Sequence, residues 1–407
     1  MSLLSVWSSD KSQLIDKKVS QIISFAGDGK LRDGSSTSVE FREFLRIIPS
    51  NKLREYAIEC LQEKFQDSGY VLQDIINEIG NRIGFEVTNG IYLGNKNKLN
   101  CDGIWKTPQS KFIVVEVKTT DAYRIKLDTI ASYRKTFISR ENQTNEDVSI
   151  LLVVGREDTG GLEAQVRGSK YAWSIRIISI DALIKLMTVK EDLDNPDTVN
   201  KIFQVLLPKE YTKLDEIIEM IFSTAEGITE SEGEIVDDFE EKSESHRKKI
   251  PVSFREGSIE FIQKQLGIDL VKRTKSLYSS IDNDIGLSIA ISKEYVKNDS
   301  SGYWFAFHPY QKDFLKKCSK PFVAFGCGSS DNIILFPFEV FSAWLKKMNT
   351  TKDEKRVYWH VQILQKNGNF TLYLKARHEN PDITAYHIKL DKNPVMSELI
   401  YQENTSG

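Results

Sequence analysis

The residues with the greatest capacity for chemistry lie in two short runs, Asn100-Cys101-Asp102-Gly103-Ile104-Trp105 and Phe112-Ile113-Val114-Val115-Glu116-Val117-Lys118. In a β-strand, residues two apart share a face. Glu116 and Lys118 therefore emerge side by side, while Val117 points into the opposite layer. Asp102, on the preceding strand of the same hairpin, reaches the same patch. Two carboxylates at the end of an apolar strand need a partner, because burying them unpaired is costly. A hard divalent cation is the natural one, since Mg²⁺ takes a few carboxylate oxygens and keeps waters for a substrate phosphate. The matching chemistry is phosphodiester hydrolysis: the metal acidifies a bound water and polarises the scissile phosphate. Lys118 holds or helps deprotonate that water and offsets phosphoanion charge. Glu78, on the helix before the sheet, is placed to add a carboxylate, as is the more remote Glu86.

These side chains require a sheet with helices around it. Helical spacing of apolar residues runs through VEFREFLRII, ended by Pro49, and through KLREYAIECLQEKFQ, for which Ser50 is the expected N-cap. GYVLQDIINEIGNRIG is a further helix, terminated by Gly84. From residue 85 the runs FEV, GIYLG, CDGIW and KFIVVEVKTT are short, β-branched and broken by turn residues, with Pro108-Gln109-Ser110 turning the last two into a hairpin. A helical stretch at 124–139 leads to VSILLVVG, an apolar strand of the kind buried on both faces. GGLEAQVRGSKYAW reads as helix, SIRIISI as strand, and ISIDALIKLMTVKEDL and YTKLDEIIEMIFST as closing helices. Asp121 and Asp181 are expected caps rather than ligands. The order describes an α/β core with a mixed sheet.

Asp102, thirteen intervening residues and then Glu116-Val117-Lys118 at the end of a hydrophobic strand resemble the motif of the PD-(D/E)xK nuclease superfamily, of which restriction endonucleases are members. The resemblance covers residues 70–190. It implies a restriction-endonuclease-like core of mixed strands flanked by helices and Mg²⁺-dependent cleavage of nucleic acid. Asp102 and Glu116 would hold the metal, Lys118 would activate water, and Glu78 matches a helix-borne acidic residue that many members add. Gln165 falls on the crossover helix where some members carry a glutamine. Cys101 stands where the motif's name has proline.

The net charge of −3 argues at first against a nucleic-acid partner, but the charge is segregated. Residues 1–223 sum to −2, residues 224–246 to −8, and residues 247–407 to +7. The expected organisation is an N-terminal helical region (1–68), a nuclease domain (69–223), an acidic linker (224–246) and a separate α+β C-terminal domain (247–407) for DNA recognition or sensing. In the last, Lys272, Arg273, Lys275 and Tyr278 form the densest basic cluster and are the expected phosphate contacts. Tyr303, Trp304, Tyr310, Trp344, Trp359 and His360 are core aromatics or a base-reading pocket. Lys106, Lys111, Arg124, Lys126, Arg134 and Lys135 flank the acidic site as further candidates.

Four cysteines without a CxxC pair, and five histidines without HExxH spacing, argue against structural zinc, a disulfide framework or zinc hydrolysis. GREDTGGLEAQVRGSK lacks the GxxxxGK[ST] pattern, so no nucleotide cofactor is expected. No apolar run reaches a membrane span, and a cytoplasmic location is expected. The functional expectation is a type II restriction-like, Mg²⁺-dependent endonuclease acting on double-stranded DNA as a homodimer. Alternatives are a phage-defence effector nuclease whose C-terminal domain senses a partner or signal, and a catalytically inactive DNA-binding protein.

Overall fold

The computed structural model describes residues 2–63, 65–93, 99–119, 125–155, 160–193, 203, 205–207, 252–297, 300–352, 357–375 and 378–388. The chain divides into two compact units, Met1–Ile228 and Thr229–Gly407. The acidic stretch 224–246, the expected helix YTKLDEIIEMIFST, Asp121 and Arg124 lie outside the described residues.

The first unit is built on a five-stranded mixed sheet. Strands β1 (Glu86–Asn89), β2 (Gly103–Lys106), β3 (Phe112–Lys118), β4 (Val148–Val154) and β5 (Ile175–Ser179) are neighbours in that order. The first three pair antiparallel and the last three parallel. The β2–β3 hairpin closes at the expected Pro108-Gln109-Ser110 turn, where the Thr107 N–H donates to Lys111 O at 2.8 Å and Ser110 adopts φ 61°. Every residue of β4 is buried, because helices cover both faces of the sheet.

Side-chain parity assigns those faces. Trp105, Ile113, Val115, Leu151 and Val153 pack with the N-terminal helices, with α6 (Ser68–Ile83) and with α9 (Ile180–Asp192). Cys101, Ile104, Val114, Ile150, Leu152 and Val154 face α7 (Leu127–Arg140) and α8 (Gly160–Arg167). Helices α1 (Leu3–Ser9), α2 (Ser12–Ile15), α3 (Val19–Phe25), α4 (Ser36–Ile47) and α5 (Ser50–Gln62) contribute to the same core as the sheet. The N-terminal helical region thus shares one interior with the α/β layer.

Local signals are met in part. Gly84 ends α6 in the left-handed region at φ 115°, a conformation that only glycine adopts without strain. Ser35 caps α4 by accepting from the Ser38 N–H at 3.2 Å, so the helix begins at Ser36, ahead of the apolar run VEFREFLRII. At α5 the cap is Pro49, and Ser50 is already helical. Its hydroxyl donates to Glu191 Oε1 and accepts from Arg82 Nη1, both at 2.6 Å, so tertiary bonding overrides the local cap. Ser179, not Asp181, caps α9; Asp181 pairs with Lys185 one turn on. GIYLG forms no strand over its described residues 90–93. Tyr92 turns inward there and donates its hydroxyl to the buried Asp74.

The second unit holds two sheets. One runs β16 (His387–Ile388), β12 (Ile333–Pro337), β11 (Lys320–Cys327), β8 (Ile285–Ser292), β7 (Leu277–Ser279), β6 (Val271–Lys272). The other runs β13 (Thr350–Lys352), β14 (Val357–Lys366), β10 (Ser300–Phe307), β9 (Tyr295–Lys297), with β15 (Asn369–Tyr373) also on β14. Phe305, Phe307, Phe325, Phe336 and Phe370 fill the layer between them, together with α12 (Phe338–Trp344). Helix α10 (Val252–Leu266) packs Ile259 and Ile262 on the other side of the six-stranded sheet, and α11 (Pro309–Leu315) follows β10. Among the described residues no helix is long and apolar enough to cross a membrane.

Helix α6 approaches the sheet closely at Gly80, where a Cβ would stand 2.6 Å from the fully buried Trp105 ring. Helix propensity favours alanine there by about 1 kcal/mol, but overpacking a rigid ring costs roughly 1–3 kcal/mol. Gly80→Ala is therefore expected to lower stability in urea denaturation. A gain would mean the ring can yield.

Candidate active site

The register pairs Gly103 with Val115, so Asp102 lies one step beyond, opposite Glu116. The Asp102 N–H donates to Val115 O at 3.0 Å, and Asp102 Oδ2 accepts from the Val117 N–H at 2.7 Å. The acidic side chain is thereby clamped to the end of β3. From the other side, Gln73 Nε2 (3.1 Å) and Asn77 Nδ2 (2.9 Å) donate to the Asp102 carbonyl. Asn77 Oδ1 accepts from Trp105 Nε1 at 3.0 Å. Gly103 is required for this approach, because a Cβ there would meet Asn77 Oδ1 at 2.2 Å.

Glu116 is 9% exposed. Lys118 Nζ donates to Glu116 Oε1 at 2.5 Å, and the lysine side chain remains one-third exposed. Glu116 Oε2 is buried and has no hydrogen-bond partner among the described residues. Such an oxygen is costly to leave unpaired. Burial raises the Asp102 pKa to about 7, and the neighbouring Glu116 charge adds to the rise. The same causes, burial first and then Asp102 and Glu116, push the Cys101 thiol up to about 12. The thiol is thus a packing group, not a nucleophile. Burial raises the pKa of the half-buried Tyr133 on α7, and the Glu116 charge adds to the rise.

Asp102, Glu116 and Lys118 are thus brought together as the spacing requires. Val117 packs into the opposite layer, as alternation demands. Glu78 is not brought to them. It lies on α6, which covers the face carrying Ile113 and Val115, whereas Glu116 shares the face of Val114. Both Glu78 oxygens are engaged within its own helix, Oε1 by Arg82 Nε at 3.2 Å and Oε2 by Asn81 Nδ2 at 3.1 Å. Arg82 extends the bond to the Leu45 and Ile48 carbonyls, so the pair ties α6 to the end of α4. Glu86 is an exposed strand residue paired with Lys106. Gln165 accepts from the Ile125 N–H (3.1 Å) and donates to Ile125 O (2.6 Å), stapling the entrance of α7 to α8.

Of the flanking cations, Lys111 pairs with Asp147, and Arg134 is spent on the Val148 and Asn145 carbonyls. Lys126 and Lys135 are exposed. In the second unit, Tyr278 is 7% exposed and packs beside Ile262, Leu266 and Leu287, so it cannot serve as a DNA contact. Arg273 is drawn inward to Ser279 Oγ (2.8 Å) and Asn283 Oδ1 (3.0 Å), bracing the β7–β8 turn. Lys272 and Lys275 are half-buried. The four do not make one open basic surface. Sequence reasoning passed over Gln73, Asn77 and Tyr133. The first two carried a signal, a pair of amides one helical turn apart in an apolar stretch.

Among the described residues no three His, Cys, Asp or Glu side chains converge as a metal cage. Two carboxylates at a strand end remain, a donor set that suits Mg²⁺, which is held by one or two carboxylates and completes its shell with water and phosphate. The orphaned Glu116 oxygen fits the same ion. Comparison with protein-family models gives no match, and comparison with curated proteins gives none either. The chemistry is therefore argued from geometry.

Two measurements test this description. Because the Asp102 pKa is raised in the folded state, that state binds its proton more tightly than the unfolded chain does. In EDTA its contribution to stability should fall as pH rises from about 4 to about 7, at up to about 1.4 kcal/mol per pH unit, and level off above. Asp102→Asn should remove that slope, and an unchanged slope would refute the assignment. Glu78→Ala leaves Arg82 buried without its counter-ion and should cost about 3 kcal/mol in a denaturation curve.

Proposed function

We propose that the chain is a divalent-metal-dependent phosphodiesterase of the PD-(D/E)xK type, a restriction-like endonuclease acting on DNA. The observation that carries this reading is the buried, unpartnered Glu116 Oε2 opposite a buried Asp102, with Lys118 Nζ on the same strand face. Asp102 and Glu116 would hold the ion. Bound Mg²⁺ supplies a more acidic water and neutralises charge on the phosphate. The protein's own part is orientation and charge. The Val117 N–H fixes one Asp102 oxygen, leaving the other for a ligand. Lys118, partly exposed beside Glu116, is placed to take up or return a proton at the attacking water and to offset the phosphoanion. Glu78 has no catalytic part in this reading; it braces the helix that holds Asp102.

DNA as substrate is supported by the positive sum of residues 247–407. A two-fold pair of chains would bring one site to each strand of a duplex. The direct test is nicking of supercoiled plasmid with Mg²⁺ and with EDTA. Cleavage should require the metal. Asp102→Asn and Glu116→Gln should each slow it by about a hundredfold or more, and Lys118→Ala by at least about tenfold. Wild-type rates in these folded variants would overturn the proposal.

A further inference from the structure

The five-stranded sheet of the second unit has one face that the core does not use. Alternation along β10 sends Tyr303, Phe305 and Phe307 into the layer between the sheets. Trp304 falls on the other face, opposite Gln362 of β14, which is itself opposite Tyr373 of β15. His360 stands there too, opposite Ala306. The hydrophobic clusters of this unit take in none of Trp304, His360 or Tyr373, while Tyr358, 6% exposed, is buried beside His308. Tyr373 is 40% exposed, and Tyr295, paired with Gly302 at the sheet's edge, is 45% exposed.

Trp304 and His360 are held by hydrogen bonds. Trp304 Nε1 donates to His360 Nδ1 at 3.3 Å, and His360 Nε2 lies 2.7 Å from Thr351 Oγ1. Tyr358 meets the Trp304 ring edge-on, with centroids 6.2 Å apart. These contacts hold the rings in fixed orientations. Small residues, Gly302 and Ala306, flank the half-buried Trp304 on its own strand face, and the His360 and Tyr358 rings stand beside it on β14.

Charge completes the picture. The strands of this sheet contain Lys352 and Lys366 and not one aspartate or glutamate; Lys375 stands two residues beyond β15, and Glu294, bonded to Ser301, directly precedes β9. Lys352, Lys366 and Lys375 are exposed. An aromatic platform with a rim of lysines matches a ligand that offers flat π-surfaces on a polyanionic backbone. Duplex DNA hides its base faces, so the platform suits unpaired bases.

We propose that this face binds single-stranded nucleic acid by base stacking, Trp304 and Tyr373 supplying the platform and the strand-end lysines contacting phosphates. The inference deepens the proposed DNA-directed function by naming the form of nucleic acid the second unit recognises. It also replaces Lys272, Arg273, Lys275 and Tyr278 as the recognition surface.

The test uses the full chain carrying Asp102→Asn, in EDTA, with fluorescein-labelled oligothymidylate of about twelve nucleotides. An oligouridylate and a duplex of equal length are the other probes. Anisotropy should show oligothymidylate or oligouridylate bound at least about tenfold tighter than the duplex, with a marked salt dependence. Tyr373→Ala should weaken single-strand binding by about five- to a hundredfold, and Tyr373→Phe, which keeps the ring, should retain it. A preference for either single strand supports the face and tells which sugar it accepts. Duplex binding equal to or tighter than single-strand binding overturns it, as does wild-type affinity in Tyr373→Ala. Because the readout needs neither metal nor cleavage, failure of the catalytic assignment would leave this result standing, and the reverse also holds.

Discussion

Two carboxylates of like charge, Asp102 and Glu116, stand opposite each other across the open end of a hairpin in largely dry surroundings. Left alone they repel, and the protein registers that strain by holding the Asp102 proton to about pH 7. Hydrogen bonding does not remove the difficulty, since one oxygen of Glu116 has no hydrogen-bond partner among the described residues. Nor does Lys118, which satisfies only the other oxygen. A positive charge between the two acids would relieve this condition, and much of the first unit serves to keep the pair in place.

The sheet does so by register. Antiparallel pairing of β2 with β3 sets the two acids across from each other, and the parallel strand β4, apolar along its length, anchors β3 in the centre of the sheet. Helix α6 then seizes the Asp102 backbone with two amides, and a buried ion pair, Glu78 with Arg82, fixes that helix to α4. The N-terminal helices are therefore part of the support, which explains why they share a core with the sheet. A second buried carboxylate on α6, Asp74, is held by Arg42 and Tyr92, and this anchors the connection that leaves β1.

The strand pair that carries Asp102 and Glu116 was legible because β-alternation is strict and the apolar run before Glu116 is unambiguous. The stop at Gly84 and the doubly buried strand β4 were legible for similarly local reasons. Glu78 was misjudged because helix membership says nothing about which face of a sheet the helix will cover, although the Arg82 one turn later already marked a partner. Tyr133 gave no signal, being one aromatic on an ordinary amphipathic helix. Tyr278 looked like part of a basic surface because a three-residue strand is too short for its alternation to be read. Its inward turn is set by pairing of β7 with β8, whereas Arg273, outside any strand, is held by Ser279 and Asn283.

In the second unit Tyr303, Phe305 and Phe307 of β10 enter the core, whereas Trp304 of the same strand falls on the other face of its sheet. The central claim of this account nonetheless rests on the first unit, and titration calorimetry of Mg²⁺ into the full chain near pH 8 tests it most directly. The account predicts a saturable site that disappears in both Asp102→Asn and Glu116→Gln. Heats unchanged by either substitution, or no binding to the wild-type chain, would contradict it.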